Sequence, residues 1–228
     1  MTALRSALLA AVAAAVPLVL AGQGGGGSGV AARLDGRVPP EVVRAVQGIA
    51  AATAARGLPI EPLIDKAIEG GAKHVPADRV IAAVRALAAR LDEARLALHQ
   101  GGIETPGADV VEGGAYALSA GLSRRQTSDL VRVSRPPYDP TLTLRVAATL
   151  AALGVPPQQT LDLMESMISA GRAPGDLLDL PSGVQAGVDQ GATPAQAANG
   201  LARGVAQAPG QNPTFVPPGQ AKPHPHKP

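Results

Sequence analysis

Three carboxylate pairs and four histidines are the residues of this chain whose types and spacing could do chemistry. Glu61/Asp65 stand four apart, and Asp162/Glu165 and Asp176/Asp179 stand three apart. On a helix each pair would share a face, the placement acid–base work on a glycosidic bond would exploit. Such sites also rely on aromatic sugar platforms, and aromatics are 1% of this sequence: Tyr116, Tyr138 and Phe215. The pairs therefore read as solvated helix faces, with Asp65, Lys66, Glu69 and Lys73 forming a surface charge lattice. Tyr116 and Tyr138 read as amphipathic plugs at helix junctions. His74 falls in an inter-helix turn and His99 near a helix end, where a cation is favoured by the dipole. His224 and His226 flank Pro225 in a spacing that matches no structural zinc pattern. No serine lies in a Gly-x-Ser-x-Gly elbow, and there is no cysteine to act as nucleophile, zinc ligand or disulfide. No catalytic, cofactor-binding or metal-ligating residue is assigned from the sequence. If a site between helices exists, Glu61, Asp65, His74 and Arg79 are the residues that would form it.

The elements that must carry these residues are helical. Hydrophobic residues are 46% of the 228, almost all Ala, Leu, Val and Ile. Alanine is the strongest helix former, and no alternating β-branched or aromatic run suggests a strand. The main signal is a recurring junction: a helix-ending Gly, an apolar residue, then Pro or Ser opening the next segment. It stands as Gly57-Leu58-Pro59, Gly121-Leu122-Ser123 and Gly154-Val155-Pro156, and more loosely at Gly171–Pro174 and Gly191–Pro194. His74-Val75-Pro76 occupies the same slot without its glycine. Ser123/Gln126, Ser182/Gln185 and Thr193/Gln196 match capping boxes. Asp139-Pro140 and Thr105-Pro106 match an N-cap followed by proline at the first helical position.

Gly57 to His74 and Gly154 to Gly171 are both 17 residues, and Gly121 to Gly154 is 33. One helix and one tight turn per step is half of a helical-hairpin repeat. The fold expected is all-α: an irregular helical-hairpin repeat (α-solenoid-like) or an irregular helical bundle, with disordered termini. The clearest helix is 76–100, where Val80, Val84, Leu87, Leu91, Ala94 and Leu98 make one apolar stripe and Gly101-Gly102 stops it.

Residues 1–21 read as a cleavable signal peptide. Arg5 is the charged leader, 7–20 is an apolar run shorter than the roughly 20 residues a membrane span needs, and Val19-Leu20-Ala21 is a cleavage site. Gln23 stands where a lipoprotein would need cysteine, so no stable membrane anchor remains after cleavage. The chain is expected to be exported to the periplasm or the exterior. Residues 22–38 read as a Gly-rich linker, 39–204 as the helical domain and 205–228 as a disordered Pro-rich tail.

Charge excludes one partner class. Residues 31–100 carry 10 basic and 8 acidic side chains, and residues 101–204 carry 7 and 10. Neither part has the one-signed surface that a phosphate backbone requires. Nucleic acid is not an expected partner, and an unknown protein or cell-envelope component is.

Residues 57–91 resemble a segment of uncharacterised exported helical proteins of bacteria. The matching positions are Gly57-Leu58-Pro59, Leu63, Lys66-Ala67, Glu69-Gly70, Ala72-Lys73, Val75-Pro76, Arg79 and Ala83-Val84-Arg85, with His74 where the pattern has glycine. The resemblance implies an exported bacterial helical protein and carries no activity or site residue. The expected role is non-catalytic, presenting a helical surface for protein–protein or envelope interaction. The alternative is an enzyme or small-ligand binder with a site between helices.

Overall fold

Alternation of alanine-rich segments with glycine stops produces ten α-helices and no strand among residues 25–207, the part of the chain that the computed structural model describes. They are α1 (Gly25–Leu34), α2 (Pro40–Ala54), α3 (Glu61–Ala72), α4 (Ala77–Gln100) and α5 (Ala108–Ser119), followed by α6 (Arg124–Val133), α7 (Pro140–Ala152), α8 (Pro157–Ser169), α9 (Leu180–Asp189) and α10 (Pro194–Gln207). A 3-10 turn over Pro174–Asp179 leads into α9.

Eight of the nine junctions between these helices turn on a residue with positive φ: seven glycines and His74. At seven of them the next amide donates back five residues, as Leu58 does to the Thr53 carbonyl and Val155 to that of Leu150. That bond closes a Schellman motif and brings the residue after the turn onto the last turn of the helix it leaves. Leu58, Leu122 and Val155 are buried in this way, which explains the Gly-apolar pattern of the sequence. The remaining junction, between α6 and α7, contains the cis Pro136-Pro137 bond.

His74 has φ 53° at an exposed turn where every other left-handed residue is glycine. A side chain in that conformation costs about 1–2 kcal/mol, so His74→Gly should stabilise the fold by roughly 1 kcal/mol. A chemical-denaturation midpoint at or below that of the parent would show that the imidazole is held by something stronger than the strain.

Helices in substantial contact are one or two apart along the chain. The even helices α2, α4, α6, α8 and α10 pack each on the next, α1 packs on α3, and α5, α7 and α9 follow the same order. This is the connectivity of stacked hairpins, in which each unit touches only its neighbours. One apolar cluster runs through all of them, from Val30 in α1 to Val205 in α10. Small residues let the axes close in: a Cβ on Gly114 of α5 would lie 3.0 Å from the Cβ of Ala94 in α4.

Several local expectations need correction. Part of the segment read as a linker is helix α1, and Val30 and Leu34 are buried. Packing on α2 and α3 outweighs the low helix propensity of glycine there. The capping boxes at Ser123 and Thr193 form, and Asp139 caps α7 through the Thr141 amide at 2.9 Å. Ser182 instead lies inside α9, because the 3-10 turn starts the helical path earlier, and Gln185 bonds Asp189. Thr105 caps nothing: α5 begins at Ala108 after Gly107. Val205 at the start of the expected tail is buried in α10, which continues to Gln207. The segment expected to be a signal peptide, most of the expected tail, His224 and His226 lie outside the described residues.

Candidate functional site

The carboxylate pairs land on three different surfaces. Glu61 and Asp65 do share a face of α3, and both are exposed. Arg33 of α1 bonds Glu61 and lies 3.6 Å from Asp65, so one guanidinium offsets one of the pair's two charges. Nothing local marks Arg33 as important, because its segment reads as a linker; only the packing of α1 on α3 brings it there. Asp162 and Glu165 share α8, where Asp162 accepts a bond from Gln158 at 2.8 Å. Partial burial, with Asp162 and Asp129 nearby, pushes the Glu165 carboxyl upward. Asp176 and Asp179 lie in the 3-10 turn, where residues three apart fall one above the other, so this pair too shares a helical face.

Arg79 and His74, the other two candidate residues, line separate hollows. Arg79 lies with Lys66, Glu69, Lys73, Val75 and Val80 along a slot of 240 Å3 between α3 and α4. Hydrogen bonds from Lys73 and Lys66, at 2.5 and 2.9 Å, lower the Glu69 carboxyl to about 2. His74 lines a broader groove of 570 Å3 with Arg37 and Glu41. Neither hollow includes Glu61 or Asp65, so the four side chains are not gathered into one pocket. Among the described residues no three metal-ligating side chains come together, and no helix is long and apolar enough to cross a membrane.

The tyrosines divide. Tyr138 is buried and its hydroxyl donates to the Arg172 carbonyl at 2.6 Å, closing the C-terminal end of α8. Tyr116 is 44% exposed on α5 beside Glu112. Burial raises the Glu112 carboxyl, and Asp109, Asp65 and Glu61 add to the effect against Arg145. The folded state thus favours the protonated form, so stability from this group is fullest below the ordinary value of 4.5 and falls as pH rises through the folded value. Glu112→Gln should raise the thermal midpoint at pH 7 and lose that advantage by pH ~4. A gain that is constant across this range would rule out titration as its source.

A basic hollow lies along α6. It measures 570 Å3 and is lined by Gln100, Arg124, Arg125, Ser128, Asp129 and Arg132. Two adjacent arginines directly after an N-cap serine are visible in the sequence, and Arg132 follows on the same helix; only the approach of Gln100 at the end of α4 depends on packing. No protein-family model matches the chain, and no curated protein or solved structure matches it either.

Proposed function

We propose that this chain is exported and works as a non-catalytic helical module, presenting a surface to a protein partner of the cell envelope. The observation that carries this reading is the stacked-hairpin connectivity, which leaves the outer faces of successive helices as an extended surface. The placement of the ionisable groups supports it: Glu61, Asp65, Lys66, Glu69 and Lys73 pair with one another or with Arg33 close to solvent. The likeness of residues 57–91 to exported bacterial helical proteins points the same way.

Two measurements test the proposal. The mature protein recovered from the envelope or exterior should begin near Gly22; a chain that keeps Met1 and stays in the cytoplasm would remove the export half. Affinity capture from the envelope fraction, using the full chain and one ended after Gln207, should recover the same stoichiometric partner. It should do so equally with Glu61→Ala and Asp65→Ala. Recovery of no partner by either form, or loss of a measured turnover in those variants, would overturn the non-catalytic reading.

A further inference from the structure

Helix α6 carries charge against its own dipole. Its first turn holds Arg124 and Arg125 and no carboxylate, although the N-terminal end of a helix favours anions. The backbone there is already satisfied, with the Ser123 side chain accepting from the Gln126 amide at 3.2 Å and the Gln126 side chain accepting from the Ser123 amide at 2.9 Å. The arginines are therefore not needed for capping. Both are exposed, as is Arg132 two turns on. Asp129 is the single carboxylate in the groove. Arg132 bonds it at 2.6 Å and Arg125 approaches to 3.8 Å, while Arg124 has no carboxylate in ion-pair range among the described residues. Three guanidinium groups thus face one acid across 570 Å3 of open groove.

Spacing decides the kind of anion. Arg125 and Arg132 already converge on Asp129, so a small ion would compete with the protein's own carboxylate there, and Arg124 stands about 12 Å of helix rise from Arg132. An extended chain places alternate side chains roughly 7 Å apart, so carboxylates along it can meet successive guanidinium groups, each a bidentate match. We propose that the α6 groove docks an acidic, extended segment of a protein partner. This rests on the binding-module reading above and names the chemistry its partner would bring. A lipid surface fits less well: residues 25–207 hold 17 basic side chains against 18 carboxylates. Electrostatic membrane recruitment relies on clusters of 4–8 lysines and arginines, and this groove has three.

The test is fluorescence anisotropy of the full chain with a labelled alternating Glu-Gly peptide of about twelve residues, against its Gln-Gly counterpart. Binding should favour the Glu peptide and weaken between about 20 and 150 mM salt. Arg124→Glu with Arg125→Glu should reduce it by at least about tenfold, with Arg124→Gln and Arg125→Gln falling in between. Because carboxylates suit the first turn of a helix, the thermal midpoint of the Glu variant should hold or rise, which separates lost binding from lost folding. Arg44→Glu with Arg85→Glu makes the same charge change elsewhere and should cost less than about twofold. Equal binding of both peptides, or an equal loss in the remote variant, would overturn the proposal. So would vesicles rich in phosphatidylglycerol that bind the parent but not the α6 variant while the Glu peptide binds both alike. If the envelope partner is captured equally well by parent and α6 variant, the groove assignment fails and the broader function stands.

Discussion

Replacing Gly71 with alanine is expected to destabilise the protein by about 3 kcal/mol, at the upper end of the usual range for overpacking. Gly71 lies at the end of α3 under the α1–α2 junction. A Cβ there would collide with the Arg37 carbonyl oxygen and sit 2.8 Å from a Val38 methyl group. The valine can rotate, but the oxygen is backbone and can clear the methyl only if the junction moves. For a chain of this size the thermal midpoint should drop by roughly 6–12 °C. The damage should also be local, because stacked hairpins share energy chiefly with their neighbours. Amide hydrogen exchange should accelerate in α1 and α2 while α8 and α10 keep their protection. Uniform acceleration along the chain would contradict the nearest-neighbour picture, and an unchanged midpoint would place Arg37 elsewhere.

Leu98→Ala should cost about 2–5 kcal/mol, the range for removing a buried leucine and leaving a cavity. Leu98 is fully buried near the end of α4, the helix that packs on α2, α3, α5 and α6. A cavity there touches two hairpin interfaces, so the loss should spread further along the chain than that of Gly71→Ala. Leu96 is two residues away and 46% exposed; Leu96→Ala should change stability by no more than about 0.5 kcal/mol. Urea titrations of the two variants check this directly. Comparable losses would mean that the α4 stripe has been assigned to the wrong face.

That stripe is legible in the spacing of the apolar residues. Val80, Val84, Leu91, Ala94 and Leu98 are all buried, because a 3.6-residue period forces them onto one side of the helix. Only Leu87 is half-exposed, and Ala88 takes its place in the core. The junctions are legible for a similar reason: a left-handed turn restricts residue type strongly, so glycine marks it locally. His74 shows the limit of that signal, since its slot is marked by the flanking Val-Pro and not by its own type.

Local signals fail where a distant contact overrides a local preference. Gly25–Leu34 looks like a spacer because four of its ten residues are glycine, yet it folds onto α2 and α3. With it comes Arg33, which ion-pairs with the very carboxylates that most resemble an active site. Glu61 and Asp65 do occupy one helical face, as their spacing predicts, but their chemistry depends on a neighbour 28 residues away from Glu61.

The sequence by itself determined the all-helical class, most helix ends, the buried stripe of α4 and the absence of any thiol chemistry. These follow from composition, periodicity and turn stereochemistry, which act over a few residues. Tertiary structure alone decided the order of helix contacts, the role of Arg33 and the close approach at Gly71. Each of those depends on which surfaces meet, and that is set by packing complementarity between segments far apart in the chain.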